Sequence, residues 1–250
     1  MAILKTEAVV LRTFDFRETS LIAHFYTRDY GRLDGILKGI RKDRQKFAST
    51  LEPFSLNNII FYQARTSALH LVSQCDLVDN FNAIRNNLKS IAFASYITDL
   101  ISNIMPPEDK NREAYYLNLW ALKQINSGAD AEKILSIFLI KFLKTTGFRP
   151  RLDGCIACGR DIAGAAYFNV KRGGLVCPAC GCANSYSTNV LKGTIASILH
   201  IEQSPWEDAL RLGLSARIRE ELNTILHNFM EFHLQIKLKS EKLLTVLSQG

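Results

Sequence analysis

Residues 155–159 read CIACG and residues 177–181 read CPACG. Each segment carries a Cys-x-x-Cys pair, and 18 residues, 159–176, lie between the two pairs. This spacing predicts one tetrahedral zinc site, because each pair forms a short turn that aims two sulfurs at one point. The predicted ligands are Cys155, Cys158, Cys177 and Cys180. Four protein ligands leave no open position on the metal, so the predicted role of the zinc is structural.

Two disulfides are the alternative to a metal site. Disulfide-rich secreted domains are usually small, whereas this chain has 250 residues. Its start, MAILKTEA, carries charge too early for a signal peptide, so zinc is favoured. Cys182 could replace Cys180 as a ligand, although the x-x spacing favours Cys180. Cys75 lies in a segment that alternates like a strand, and it is predicted to be a small buried apolar side chain.

The composition is that of a soluble protein with an apolar core. Hydrophobic residues make up 47% of the chain, and the length allows one or two domains plus a small insert. The net charge of +7 is compatible with a polyanionic partner but does not require one. The longest apolar stretch, 91–105, is interrupted by Asp99 and Asn103 and predicts a buried helix, not a membrane span. We expect a cytoplasmic protein with reduced thiols.

The first 80 residues contain five short β-rich runs punctuated by Gly, Asp and Ser. The runs cover residues 5–11, 21–26, 32–37, 58–62 and 68–78. Five strands without a long helix between them predict a small closed barrel, of which the five-stranded OB-fold is the common example. An SH3-like barrel is the alternative. Glycines at every fourth position from Gly31 to Gly39 predict barrel curvature, because the GK[ST] ending of a phosphate loop is absent.

From residue 81 the hydrophobic period becomes helical. The predicted helices cover 81–105, 112–126, 130–147, a segment from about 188, and 215–238. The cysteine segment, 151–182, interrupts them. The predicted fold class is therefore α+β multidomain. It consists of an N-terminal OB-fold barrel (1–80) followed by an all-α domain (81–250) with an inserted four-cysteine zinc module (151–182).

A basic segment follows the third predicted strand and is expected on the barrel rim. Residues 38–47 read KGIRKDRQKF, with five basic residues and one acid. Positive charge along a groove follows phosphates, while aromatic faces stack unpaired bases. The predicted nucleic-acid contacts are Lys38, Arg41, Lys42, Arg44 and Lys46 from this segment, with Arg12, Arg17, Arg32 and Arg65 from the barrel. Aromatic residues lie among them at Phe14, Phe16, Tyr30 and Phe47. The alternative is a solvated loop with the aromatic residues in the core.

Several stretches of the chain, taken together, resemble the RecO family of bacterial recombination mediators. They are residues 6–18 (TEAVVLRTFDFRE), 25–32 (FYTRDYGR), 38–42 (KGIRK), 51–55 (LEPFS), 153–159 (DGCIACG), 173–180 (GGLVCPAC) and 238–244 (LKSEKLL). They occur in the family's order over nearly the whole chain. Arg17 and Ser20 depart from residues that are common in the family. The resemblance implies an N-terminal OB-fold, a helical domain and a zinc module within it.

The resemblance also implies a non-enzymatic role in DNA repair. Proteins of this family bind single- and double-stranded DNA and anneal complementary strands. With RecR they help load RecA onto DNA coated by single-stranded-DNA-binding protein, whose acidic C-terminal tail they bind. The resemblance places DNA binding on the barrel and its basic segment, including Arg41, Lys42 and Arg44, and implies a nucleoid-associated protein. We expect the tail to dock on the helical domain, where Lys141 and Lys144 lie among apolar positions.

Two other functions have to be weighed against DNA annealing. An RNA-binding or translation-linked OB-fold zinc protein would share the basic barrel. A zinc-dependent hydrolase would need an open metal position, which four thiolates do not leave. The five histidines are scattered, and the sequence has no evident nucleophile–base signature. An enzyme is therefore not predicted.

Overall fold

The computed structural model describes residues 2–42, 47, 51–162, 164–181, 186–236, 238, 240, 241, 243 and 244. The chain divides into two compact units: Met1–Ala131 together with Leu238–Gly250, and Glu132–Lys237. The first unit contains a barrel and the three helices that follow it. The predicted domain boundary at residue 80 therefore stays a prediction. Among the described residues, no helix combines the length and the apolar character needed to cross a bilayer.

The N-terminal strands form a closed five-stranded barrel in the order β1-β2-β3-β5-β4. The strands are β1 (Ile3–Phe16), β2 (Ser20–Thr27), β3 (Gly31–Leu37), β4 (Leu56–Tyr62) and β5 (Leu69–Asp79). Neighbouring strands are antiparallel except β3 and β5, and β4 pairs back with β1 to close the barrel. This is the OB-fold that the five β-rich runs predicted.

Strict alternation along β3 shows why these residues form a barrel wall. Gly31, Leu33, Gly35 and Leu37 are buried, while the residues between them are partly exposed. A Cβ atom on Gly35 would lie 2.6 Å from Val72 Cγ2, so only glycine fits here. The strand β1 is 14 residues long and changes register between Val10 and Arg12. This bulge bends β1 so that it pairs with both β2 and β4.

In the described part of the first unit, the barrel is followed by the helices α1 (Asn82–Arg85), α2 (Leu88–Ile104) and α3 (Arg112–Asn126). The single helix predicted over 81–105 is in fact two, because the Asn87 side chain accepts hydrogen bonds from the backbone N–H groups of Lys89 and Ser90 and starts a new helix. The predicted bounds of α3 are confirmed. On this helix Tyr116 is 44% exposed.

The second unit combines helices with a small sheet. The helices are α4 (Ala131–Thr145), α5 (Pro178–Gly181), α6 (Lys192–Gln203), α7 (Trp206–Arg211) and α8 (Ala216–Leu234). The strands β6 (Ala166–Asn169), β7 (Gly174–Val176) and β8 (Ser187–Val190) form a sheet in the order β7-β6-β8. The helix predicted from about residue 188 is wrong at its start, because Val190 pairs with Ala166 in the sheet. Strands of three or four residues are too short for periodicity to reveal them.

Candidate metal centre and candidate nucleic-acid interface

The four predicted zinc ligands meet at one point in the second unit. One sulfur from each of Cys155, Cys158, Cys177 and Cys180 lies within 4.8 Å of the others. The Sγ atoms of Cys158 and Cys177 are 3.9 Å apart. Cys155 is buried, whereas Cys158 and Cys180 are exposed. The cluster therefore lies at the surface of the unit with one ligand anchored in its interior.

Two backbone turns aim these sulfurs. In the first turn the N–H of Gly159 donates to the carbonyl of Cys155 at 2.8 Å, and Gly159 has a φ of 73°. In the second turn the N–H groups of Cys180 and Gly181 both donate to the carbonyl of Cys177 at 2.9 Å. The same hydrogen-bonding geometry thus recurs at both Cys-x-x-Cys pairs.

The residues around the pairs hold the two turns together. The N–H of Ile156 donates to the carbonyl of Leu175 at 2.9 Å. A Cβ atom on Gly174 would lie 2.5 Å from the carbonyl oxygen of Arg151, so the chain segments approach too closely for a side chain. The module is therefore preformed by backbone contacts.

Local donors set the charge of the sulfurs. The backbone N–H of Cys177 donates to Cys155 Sγ at 3.3 Å and lowers the pKa of the Cys155 thiol to about 6. The Arg160 guanidinium, with Nε 3.4 Å from Cys158 Sγ, lowers the pKa of the Cys158 thiol. The hydrogen bond with Cys177 raises the pKa of Cys180 to about 12. A cation bound by these sulfurs would displace their remaining thiol protons.

The arrangement fits a tetrahedral four-sulfur zinc site. With a Zn–S distance of about 2.3 Å, the sulfurs of a tetrahedron are about 3.8 Å apart. A disulfide would bring a pair to about 2.05 Å, and the four cysteines of the cluster are free thiols. Cys182 lies outside the described residues. The four sulfurs are of a donor type that zinc prefers, and their separations of at most 4.8 Å would allow these residues to hold one metal ion.

Four of the predicted nucleic-acid contacts come together at one end of the barrel. We call Arg17, Lys38, Arg41 and Lys42 the rim patch. Phe16 pairs with Ser20 across the first hairpin, and Leu21 pairs with Leu37 across the second. The N–H of Arg41 donates to the carbonyl of Thr19 at 3.1 Å. These contacts place the β1–β2 turn beside the segment after β3, and all four basic side chains are exposed.

The rim patch is next to exposed aromatic and acidic groups. Phe14 is 45% exposed, and the Arg17 guanidinium lies 5.3 Å from the centroid of Phe16. Asp15 is exposed and forms an ion pair with Arg41 at 3.3 Å. The other two aromatic residues predicted there are not available for stacking. Phe47 is buried in the barrel core, and Tyr30 packs edge-on against Phe61.

The remaining predicted contacts lie elsewhere. The guanidinium of Arg12 pairs with Asp99 on α2 at 2.8 Å, and Arg32 donates to the carbonyl of Ser102 at 2.9 Å. Both arginines thus join the barrel to α2 within the first unit. Arg65 is exposed in the β4–β5 connection, next to the pair Ile3–Tyr62 at the opposite end of β1 from Arg17. Arg44 and Lys46 lie outside the described residues.

Arg12 makes an interaction that the sequence did not reveal. Its partner Asp99 is 7% exposed, and Asp99 also accepts hydrogen bonds from the N–H and hydroxyl of Ser240 at 3.2 and 3.0 Å. The Asp99 carboxylate therefore fastens β1, α2 and the C-terminal segment of the first unit together. No simple sequence signal identifies this contact, because 87 residues separate the pair.

Arg12→Ala should lower thermal stability more than DNA affinity. The change leaves a buried carboxylate with fewer donors, at a cost of about 1–2 kcal/mol after allowance for the partial exposure of Arg12. The melting temperature should fall by about 2–8 °C. Differential scanning calorimetry measures the melting temperature, and Arg65→Ala is the control for loss of one arginine charge. An unchanged melting temperature with a large loss of DNA affinity would instead favour the predicted DNA contact.

A closed five-stranded OB-fold barrel, followed by a helical unit that carries a four-thiol cluster, defines a class of α+β multidomain protein. Two family models match the chain, "Recombination protein O N terminal" over residues 1–81 and "Recombination protein O C terminal" over residues 85–242. The chain belongs to the RecO family. The resemblance noted in the sequence is thereby confirmed.

Curated relatives match almost end to end. "DNA repair protein RecO" of Caldanaerobacter subterraneus subsp. tengcongensis is 30% identical, with 99% of this chain and 100% of the relative covered. The protein of the same name from Syntrophus aciditrophicus is 33% identical, with 96% and 94% covered. That of Bacillus pumilus is 27% identical, with 96% and 93% covered.

Proposed function

We propose that this protein is a DNA-binding recombination mediator in DNA repair. It binds single- and double-stranded DNA, anneals complementary strands and, with RecR, helps load RecA onto DNA coated by single-stranded-DNA-binding protein. Membership of the RecO family supports this role. The observation that carries it is the rim patch, which gathers four exposed basic side chains beside exposed aromatic surface at one end of the OB-fold barrel.

The rim patch suits binding without base selectivity. Lys and Arg side chains neutralise phosphates, which carry no sequence information, and release condensed counterions. A surface that lowers phosphate repulsion allows two strands to approach, and base pairing then selects the complement. Phe14 and the face of Phe16 offer stacking surfaces for unpaired bases next to the charges. Annealing on such a surface requires no catalytic residue.

We further propose that Cys155, Cys158, Cys177 and Cys180 hold a structural zinc ion. When bound, the ion supplies a cross-link between the two turns and no open position for chemistry. The residues themselves orient the sulfurs through backbone hydrogen bonds and keep the first thiol buried. The role of this module is then to hold together the small sheet to which the turns are attached.

The helical region is the proposed docking surface for the acidic tail of single-stranded-DNA-binding protein. Lys141 is not a candidate contact, because it is buried and donates to the carbonyl of Ser204 at 2.6 Å. Lys144 is exposed, although it also donates to the carbonyl of Glu202 at 3.2 Å. A titration of the tail peptide against the whole chain measures this interaction.

An annealing assay tests the main proposal. Complementary DNA strands, each coated with single-stranded-DNA-binding protein, should pair faster in the presence of this protein than in its absence. The same assay with RNA strands addresses the alternative of an RNA-binding protein, because both polymers carry the same phosphate charge. Faster pairing of uncoated RNA together with no effect on coated DNA would contradict the proposal.

A further inference from the structure

The second unit contains a cleft with exposed aromatic side chains. It has a volume of about 530 Å³ and is lined by Val170, Tyr186, Thr188, Asn228, Glu231, Phe232 and Gln235. Tyr186 and Phe232 are 47% and 39% exposed, and their ring centroids lie 6.4 Å apart at an interplanar angle of 63°. Large exposed aromatic side chains at the mouth of a cleft of this size mark a candidate ligand site.

The walls of this cleft are held in place. The N–H of Val170 donates to the carbonyl of Tyr186 at 3.0 Å, and β8 begins at the next residue. On α8, His233 Nε2 lies 2.7 Å from the carbonyl oxygen of Val170, and the His233 ring packs on Phe229 with centroids 4.4 Å apart. The small sheet and α8 therefore fix the positions of the two exposed rings, which lowers the entropic cost of binding a ligand against them.

The charge around the cleft is divided. Lys171 and Arg172 are exposed in the turn between β6 and β7, and Lys171 Nζ lies 5.5 Å from the Tyr186 ring centroid. Glu231 lines the cleft itself. The two basic side chains therefore favour a phosphate beside the turn, whereas the Glu231 carboxylate disfavours a phosphate inside the cleft. Inside the cleft, the carboxylate favours a ligand whose polar edge donates hydrogen bonds.

We propose that this cleft binds an unpaired nucleobase of a DNA strand, with the adjoining phosphate beside Lys171 and Arg172. The base stacks on the Tyr186 ring beside Phe232, and its edge faces Glu231. The inference rests on the proposed DNA-binding function and adds a second strand site, in a different unit from the rim patch. A protein with two such sites can hold two strands at once.

The carboxylate of Glu231 makes the proposed site selective. It accepts well from the exocyclic amino group of cytosine. The N3–H of thymine lies between two carbonyl oxygens, which repel a carboxylate. The cleft should therefore bind cytosine in preference to thymine, whereas phosphate contacts at the rim patch should not distinguish the two.

Fluorescence anisotropy with labelled 15-mers of deoxycytidine and deoxythymidine tests this selectivity. Tyr186→Ala should weaken binding of the cytidine strand about fivefold or more, the lower end of the contribution of one base–aromatic stack. Tyr186→Phe should retain the affinity because the ring remains. Tyr116→Ala, which removes an exposed tyrosine in the first unit, is the matched control and should have no effect. Glu231→Gln should reduce the preference for cytidine.

Photo-crosslinking of the unmodified chain is a second test, and it does not depend on whether the variants fold. A strand containing 5-iododeoxycytidine should cross-link to the peptide that contains Tyr186 or Phe232. Cross-links that map only elsewhere, or a Tyr186→Ala variant that binds as the unmodified chain does, would overturn the inference. Failure of the proposed function looks different: the unmodified chain would then bind neither strand.

Discussion

Replacing Lys38, Arg41 and Lys42 together with alanine should weaken binding of single-stranded DNA and flatten its salt dependence. Each phosphate contact contributes a slope of about −0.7 to the plot of log affinity against log salt, so three lost contacts flatten the slope by about 2. At 0.1 M salt the same three contacts account for an affinity loss of up to about a hundredfold. The loss should be similar for strands of different base sequence. A titration between 0.05 and 0.5 M salt by anisotropy measures both quantities.

Two further variants show whether the effect on DNA binding depends on where these charges lie or only on how many charges are removed. Lys5→Ala, Lys110→Ala and Lys123→Ala in one variant removes three exposed lysines elsewhere in the first unit and should leave the slope nearly unchanged. Asp15→Asn should tighten binding, up to about fivefold, because it frees Arg41 from its ion pair and removes a negative charge from the patch. An unchanged slope in the Lys38, Arg41 and Lys42 variant would reduce the rim patch to a solvated charged loop. The sequence also predicts contacts at Arg44 and Lys46, and a variant that combines Arg41→Ala, Lys42→Ala and Arg44→Ala tests the first of these.

Cys155→Ser should abolish zinc binding and destabilise the second unit. Cys155 is the buried member of the cluster, and metal binding to a four-thiolate site contributes folding free energy, about 10–16 kcal/mol of apparent binding energy in small zinc peptides. Within a larger core the loss of stability should be smaller, on the order of several kcal/mol. Elemental analysis after purification under reducing conditions should give one zinc per unmodified chain and none in the variant. A thermal melt should show the loss of stability.

Cys75→Ala is the matched control for this variant. Cys75 is also buried, but it lies in the barrel core, so its replacement should leave the zinc content unchanged. Comparing Cys180→Ser with Cys182→Ser decides the fourth ligand, since only loss of the true ligand should release the metal. An unmodified chain that is fully folded and free of zinc after mild purification would refute a metal role for the cluster.

The cysteine cluster could be predicted from the sequence because most of its geometry is local. Each Cys-x-x-Cys pair closes its own turn, and a short connection brings the two turns together. The barrel could be predicted for a similar reason, because the alternation of buried and partly exposed residues along β3 indicates which side chains face inward. The sheet formed by β6, β7 and β8 was missed, because strands of three and four residues carry too few alternations to be recognised.

The environments of the basic residues could be predicted only in part from the sequence. Lys38, Arg41 and Lys42 are adjacent in the chain, and their clustering was predictable, but only the pairing of β2 with β3 brings Arg17 beside them. Arg12 and Arg32 look the same in sequence as the rim residues, yet α2 provides an acceptor for each. Phe47 and Phe14 differ likewise, one buried in the core and one exposed.

The sequence by itself thus determined the barrel strands, most of the helices and the four-cysteine pattern, since these depend on spacing and periodicity over a few residues. The tertiary structure alone decided which charges and rings face solvent. A guanidinium is free or engaged according to whether a carboxylate distant in sequence, such as Asp99, lies within hydrogen-bonding reach. That proximity is a property of packing between elements, and no local pattern encodes it.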